Sequence, residues 1–456
     1  MQRQGMGRVI VASSVGTVIE FYDFFIFASL AATIATHFFP PDRPTFGFLS
    51  TLATYGVGLA VRPFGSLAFG RLGDTVGRKT TFLITLLIMG TATAAIGVLP
   101  GYATIGAAAP LLLILLRVVQ GLALGGEYAG AATYVGEHAP AGRRGYYTSF
   151  IQLTPTIGLF ASSVVVLGLR AALGEPSFTD WGWRVPFLIS LVFVAISYYI
   201  RVRLEESPVF LALKAQGMIS RAPIRESYAT RERWRLFAII LFGVTAGQAV
   251  LATTTQVYVL FFLQRVLKIA PDESYRIVAG ALLLVMPLFP LFGALSDRVG
   301  RKPMMLAGNL VAALVLFPIY RAMAANADPV RPVVLTLLVF AQMVPFVMLY
   351  APLAAYLVEA FPANVRYTSI SLPYNLGNGW FGGFLPLIAT ALVARTGSPF
   401  AWLAYPIVIA LVTVAVGGLY LSDQPDSQLG SRVGANSFDQ DSGAKTTLTG
   451  FRSKRL

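Results

Sequence analysis

Cysteine is absent from the 456 residues, so no disulfide and no thiolate nucleophile or ligand is available. Histidine is nearly absent. The two present, His37 and His138, are too few and too far apart for a His-rich metal site. With no Cys and two remote His, no convincing nucleophile or metal constellation for an enzyme stands out. Charge is scarce too: Asp, Glu, Lys and Arg make up 12% of the chain, about half the usual share for a soluble domain. An ordinary soluble globule is thereby excluded.

Apolar residues fill the space: 56% of the chain is hydrophobic and the mean hydropathy is +0.68. A run of roughly 20 apolar residues spans the roughly 30 Å hydrocarbon layer as a helix. Twelve such spans are expected, at about 9–37, 46–69, 80–99, 108–136, 146–169, 185–201, 235–264, 276–295, 304–323, 332–357, 370–394 and 402–421. The first is too long for a signal-peptide core and lacks a convincing cleavage site, so it is expected to remain as a span. The net charge of +14 does not point to nucleic acid, because its placement is topological. With the N-terminus inside, cytoplasmic segments hold 24 of the 35 Lys and Arg, external segments 9, and Arg62 and Arg117 lie within spans. This positive-inside asymmetry predicts a multi-pass protein of the cell membrane with both termini cytoplasmic.

The chain repeats itself. "GRLGDTVGRK" (70–79) follows the second span and "GALSDRVGRK" (293–302) the eighth; "EHAPAGRRG" (137–145) follows the fourth and "EAFPANVRY" (359–367) the tenth. The offsets are 223 and 222 residues. Two motifs at one offset predict an all-α membrane protein whose twelve transmembrane helices form two six-helix pseudo-symmetric halves. The expected division is 1–200 and 236–421 for the halves, 201–235 for a charged cytoplasmic linker, and 422–456 for a polar, disordered tail. Within the linker, "EESPVFLALK" predicts a short amphipathic surface helix.

The loop motif G-x-x-x-D-(R/K)-x-G-R-K resembles the signature of the major facilitator superfamily. "GTVIEFYDFF" (16–25), "VRPFG" (61–65), "RVVQGLALGGE" (117–127), "WGWRVPF" (181–187) and "RYTSISLPYNLGNGWFGGFLP" (366–386) resemble its metabolite:proton symporter family. The likeness runs over about residues 8–421. Thr75 departs from the pattern, standing where a basic residue is usual and where the second half has Arg298. The resemblance implies alternating access by rocking halves, a bacterial inner-membrane location and a monomer. It further implies proton-coupled import of a mono-, di- or tricarboxylate, with a zwitterionic osmolyte or proton-antiport efflux of a drug or metabolite as alternatives. No cofactor, metal or nucleic acid is implied. The partners are a small metabolite, protons and the bilayer.

The loop motif also has a physical basis. Gly70, Gly73 and Gly77 permit a tight turn and close helix approach. Asp74 is placed to face the N-terminal end of a helix from the other half, and Arg78 and Lys79 to hold a carboxylate or the lipid surface. With Asp297, Arg298, Gly300 and Arg301 in the second copy, and Glu137, Arg144, Glu359 and Arg366 in the other repeated loop, these form a candidate conformational latch.

Five ionisable residues fall well inside spans: Glu20, Asp23, Arg62, Arg117 and Glu127, all in the first half. Each charge at mid-bilayer costs roughly 2.5–3.5 kcal/mol on insertion scales. They must therefore pair, neutralise or face water. Glu20 and Asp23, three apart, share a helix face. Depth permits an Asp23–Arg117 pair and a second group of Glu20, Arg62 and Glu127. In proton-coupled relatives of the superfamily, an Asp on the first helix and an Arg on the fourth commonly form the coupling pair, and Asp23 and Arg117 match those positions. Glu20, Asp23 and Glu127 are the candidate proton carriers. Arg117 and Arg62 are candidate anion ligands, since a guanidinium matches a carboxylate bidentately. Tyr22, Gln120, Gln152, Gln248, Gln256, Tyr258, Tyr374, Asn375 and Asn378 are candidate polar or aromatic contacts to substrate. The last three lie in a Pro- and Gly-rich stretch where helix irregularity is expected to line a cavity.

Overall fold

A computed structural model describes residues 6–140, 142–202 and 206–422. Apart from Ser422, the expected polar tail lies outside the described residues. The twelve spans are α1 (Met6–Ser29 continued by Ala31–Phe38), α2 (Pro44–Thr75), α3 (Arg78–Val98), α4 (Ala108–His138), α5 (Arg144–Leu173), α6 (Gly182–Val202), α7 (Arg231–Val266), α8 (Pro271–Val299), α9 (Arg301–Ala325), α10 (Pro332–Ala360), α11 (Arg366–Thr396) and α12 (Ala401–Tyr420). They fall where the apolar runs predicted them. Most of the helices extend a few residues beyond the expected runs, because helices carry their polar first and last turns beyond the hydrocarbon layer.

Several spans are not uniform helices. At Leu30, α1 bends by 63°. α2 breaks at Val61, just before Arg62 and Pro63, because proline offers no N–H to the preceding turn. α7 carries π-helical turns at Leu241–Thr245, Thr253–Tyr258 and Phe262–Val266, and α11 one at Gly377–Gly382. Such turns cluster at functional sites because the widened backbone re-aims side chains.

The two halves meet chiefly through α2 against α11 and α5 against α8. Those pairings exchange under the repeat, as a two-fold duplication requires. Within the first half, α2 and α4 approach through small residues. A Cβ on Gly121 would stand 1.7 Å from the Gly58 carbonyl oxygen, and one on Gly65 would stand 2.0 Å from that of Leu122. In a bilayer, where the hydrophobic effect does not drive helices together, such close backbone contact supplies the packing.

The linker does not hang free. Its helix Pro208–Ala215 is capped by the Ser207 hydroxyl, and its helix Pro223–Tyr228 lies on α2 and α11. There the Tyr228 hydroxyl donates to the Thr368 carbonyl at 3.0 Å. One boundary needs correction. Arg201, assigned to the cytoplasmic edge of the linker, belongs to the last turn of α6 and is buried.

Gly121→Val is expected to lower the thermal midpoint of the purified protein, because overpacking at a tight contact costs about 1–3 kcal/mol. Gly168→Ala, on α5 where nothing stands within 4 Å, is the matched control and is expected to leave the midpoint unchanged or raise it.

Candidate functional site

Between the halves lies a small cavity of ≈ 50 Å³. That is room for about four waters, so it is contracted relative to any multi-atom metabolite. Of the expected contacts, Arg62, Gln248, Gln256, Tyr374 and Asn378 line it. Gln248 and Asn378 exchange amide hydrogen bonds, the shorter at 3.2 Å. Gln256 donates to the Thr156 hydroxyl at 2.7 Å, across the halves. The Tyr374 hydroxyl meets that of Tyr350 at 3.0 Å. The Tyr374 ring stacks on Tyr128 with centroids 3.5 Å apart. Thr253, Gln256 and Val257 come from a π-turn of α7 and Asn378 from that of α11, so the irregular backbone does face the cavity.

Other expected contacts lie elsewhere. Tyr22 turns away to donate to the Pro186 carbonyl at 2.9 Å, tying α1 to α6. Tyr258 packs on Trp402. Gln152 donates to the Tyr350 carbonyl at 2.8 Å. Gln120 and Asn375 each serve an arginine. Sequence reasoning missed Tyr55, Tyr350 and the rings of Phe21, Phe24, Phe25 and Phe346, which wall the cavity. For the phenylalanines beside Asp23, no sequence pattern distinguishes a cavity wall from a packed core.

The charges are arranged differently from expectation. Asp23 is fully buried, and its Oδ1 accepts from the Ser190 hydroxyl at 2.5 Å. Its Oδ2 has no protein partner among the described residues. Arg117 does not pair with it. Instead the Arg117 guanidinium lies over the rings of Phe24 and Phe27, 4.5 and 4.4 Å from their centroids, and its Nη1 donates to Gln120 at 2.7 Å. Gln120 is held in turn by Thr93. The Arg117 Nε and Nη2 have no hydrogen-bond partner among the described residues. The expected Asp23–Arg117 pair is thus not made, because Asp23 faces α6 while Arg117 is held over aromatic rings and by Gln120.

Arg62 likewise leaves its expected group. Its Nε donates to the Asn375 side chain at 2.9 Å, and Asn375 donates to the Gly125 carbonyl at 2.8 Å. Arg62 Nη2 has no hydrogen-bond partner among the described residues. Glu20 and Glu127 are brought together, but by Arg201, at 2.8 and 2.6 Å. Arg201 carries no motif signal. As the last basic residue of an apolar run it resembles an ordinary surface anchor.

At the end of the molecule carrying the repeated loops, here termed the motif end, the two copies make matching contacts. Asp74 accepts from the backbone N–H and hydroxyl of Thr368 at 3.0 and 2.7 Å, in the first turn of α11. Asp297 accepts from the N–H groups of Gly145 and Tyr146, both at 2.9 Å, in the first turn of α5. Each carboxylate thus meets the positive end of a helix from the opposite half. Arg78 and Arg301 brace these carboxylates from their own half, at 3.4 and 2.7 Å. Arg301 also reaches Glu359 at 3.4 Å. Gly77 and Gly300 hold φ of +132° and +103°, which side chains rarely adopt. Gly70 lets α2 close on Thr368, to which its Cβ would come within 3.2 Å. Arg366 joins Glu137 across the halves at 2.9 Å, and Ser207 of the linker donates to the same carboxylate. Lys79 reaches the Val202 carbonyl at 2.6 Å. Arg298 is exposed, and Arg144 makes none of the ion pairs among the described residues. Among the described residues, the Thr75 hydroxyl bonds within its own helix, to the Arg71 and Leu72 carbonyls.

The opposite end is bridged too. Arg170 of α5 holds Asp272 of α8 at 2.8 Å, Arg265 lies 4.4 Å over Phe48, and the Tyr275 hydroxyl donates to the Ser29 carbonyl at the bend of α1. The cavity is therefore contracted, with the halves joined on both sides of it.

Comparison with known proteins agrees with this architecture. Residues 9–233 match the family model for sugar (and other) transporters, and residues 249–453 that of the major facilitator superfamily. The inner membrane metabolite transport protein YhjE of Escherichia coli (strain K12) is 36% identical over 400 residues, 86% of this chain and 88% of that one. A putative proline/betaine transporter of Staphylococcus aureus (strain MSSA476) is 31% identical over 430 residues, 93% and 90% of the two chains. The crystal structure of a D-xylose-proton symporter superposes with a TM-score of 0.70 over 92% of this chain and 99% of that one, at 18% identity.

Because the chain has no cysteine, Ala252→Cys on the cavity wall offers a single thiol for labelling. Adding Asp74→Asn and Asp297→Asn removes two charged contacts worth about 1–3 kcal/mol each. Labelling by an impermeant thiol reagent from the motif side is expected to rise roughly tenfold or more. Unchanged labelling would show that these contacts do not hold that end shut.

Proposed function

We propose that this chain, which belongs to the major facilitator superfamily and to its metabolite transporters, is a symporter that imports a small organic acid together with protons. The observation that carries this is a pair of buried guanidinium groups, Arg62 and Arg117, that have no carboxylate partner among the described residues. A buried cation without a counter-charge is costly, and a substrate carboxylate supplies one. Arg62 already lines the cavity, where the amides of Gln248, Gln256 and Asn378 offer further hydrogen bonds.

Asp23 is the proposed proton switch. With a proton it rests on Ser190 and leaves Arg117 free; without one it draws Arg117. A substrate anion that engages an arginine competes for that cation and so favours proton uptake on Asp23. Proton entry also supplies the driving force. Each net positive charge moved inward across 100 mV contributes about 2.3 kcal/mol, which offsets import of an anion against the potential.

The motif end is the proposed cytoplasmic face, on the asymmetry of Lys and Arg. Import then requires the Asp74, Asp297 and Arg366 contacts to break while the Arg170–Asp272 end closes. Unbuilding one side as the other forms is the rocking exchange expected of two packed halves.

A zwitterionic osmolyte is the second candidate. The cavity wall of Phe21, Phe24, Phe25, Tyr55 and Phe346 offers ring faces that attract a quaternary ammonium group, and one of the relatives is named for proline and betaine.

Purified protein in liposomes, challenged from outside with a panel of carboxylates and betaine-like zwitterions, is expected to acidify the lumen with one class only. Acidification by the zwitterions alone would transfer the substrate assignment to them. Silence across the panel would remove proton symport of these classes. Asp23→Asn is expected to abolish uphill, proton-driven uptake while substrate counterflow persists; full retention of uphill transport would exclude Asp23 as the switch. Losing a hydrogen bond to a charged group costs about 1.5–3 kcal/mol. Arg62→Ala is therefore expected to raise KM by roughly 10- to 100-fold.

A further inference from the structure

Three buried groups meet on the motif side of Asp23: Glu20 of α1, Glu127 of α4 and Arg201 of α6, each at most 2% exposed. The site is built rather than incidental. Arg201 donates to Glu20 Oε1 at 2.8 Å, to Glu127 Oε1 at 2.6 Å and to the Phe82 carbonyl at 3.1 Å. Its guanidinium lies 5.1 Å over the Phe82 ring. Thr17 and Thr85 each donate to Glu127 at 3.3 Å. Gly16 makes the room: a Cβ there would stand 2.3 Å from the Arg201 Nε.

The charge does not balance. Two carboxylates face one guanidinium, and no other Lys or Arg bonds to them among the described residues. From α1 the site also faces Asp23, a third carboxyl group. Among the described residues, the groups that bond to it from α3 are neutral Phe82 and Thr85, and neutral Tyr367 faces it from α11. An uncompensated negative charge in this buried interior costs several kcal/mol. Glu20 and Glu127 also share one nitrogen, since Arg201 Nη1 stands 2.8 Å from Glu20 Oε1 and 3.4 Å from Glu127 Oε2, and two ionised carboxylates crowded on one donor repel unless a proton is held with them.

We propose that Glu20 and Glu127 hold a single proton between them, with Arg201 as the positioning residue that fixes the pair. The proton belongs to the pair rather than to either residue. Glu20 precedes Asp23 by three residues, about 4.5 Å along the helix. The pair is therefore the next acceptor on the way from Asp23 to the motif end. Its use in transport rests on the proton-coupled function proposed above, but its existence rests on geometry and charge count alone.

Infrared difference spectroscopy on the lipid-reconstituted protein near neutral pH tests this without substrate. The carboxylic acid C=O stretch is expected to contain a component that disappears in both Glu20→Gln and Glu127→Gln, since either leaves one carboxylate balanced by one guanidinium. The same component is expected to remain in Asp23→Asn and to grow about twofold in Arg201→Gln. Both Glu→Gln changes conserve shape, and a thermal melt confirms that each variant is folded. A component that survives both Glu→Gln changes, or the absence of any such component in the wild type, would overturn the proposal and leave Arg201 as a structural tie. A component assigned to the pair in a protein that moves no protons with any substrate would instead overturn the symport and leave the site.

Discussion

Burying charge where water cannot follow is the constraint on which the rest of this structure depends. The first half carries Glu20, Asp23 and Glu127 against Arg62, Arg117 and Arg201, all at most 4% exposed. As many basic as acidic side chains are present, yet they are not paired one to one. Arg201 takes two carboxylates, Asp23 takes a serine, and Arg62 and Arg117 take amides and aromatic faces. A set that balances in sum but not in pairs has more than one way to settle. Movable ligands, a proton and an anion, are what such a set selects between.

The helix packing serves the same end. Glycines bring α2 and α4 together so closely that side chains are excluded from their contact. Arg62 and Gly125 are thereby set side by side, and Asn375 from the other half reaches both. A buried guanidinium is thus tied to the interface between the halves through one amide. The π-turns of α7 and α11 do the complementary work in the second half, turning neutral polar groups toward the cavity. One half holds charge and the other offers amides and hydroxyls, so relative motion of the halves changes the surroundings of the charges directly.

At the motif end the duplication becomes a mechanical device. Asp74 and Asp297 each set a carboxylate on the first turn of a helix in the opposite half. A helix N-terminus is a weak, diffuse positive site, and weakness is suitable for a contact that must be remade every cycle. The partly exposed Arg170–Asp272 bridge at the far end is weaker still, since solvent-exposed pairs contribute about 0–1 kcal/mol.

Much of this was legible in the residues. The apolar runs determined the spans, because hydrocarbon thickness fixes helix length. The common offset of two loop motifs determined the duplication. The motif's Asp, Gly and Arg positions determined where the duplicated carboxylate-to-helix contacts lie. Counting along helices gave the order of the charges along each span. It did not give the direction in which each side chain turns, and there the tertiary structure decided. Asp23 and Arg117 sit at compatible depths and do not meet. Arg201, indistinguishable in sequence from a surface anchor, is drawn inward because Gly16 leaves room and two carboxylates lie within its reach. Hydrophobicity acts along one dimension, across the bilayer, and a sequence records it residue by residue. Pairing among buried charges depends on the rotation and separation of several helices at once, and only the packed bundle fixes those.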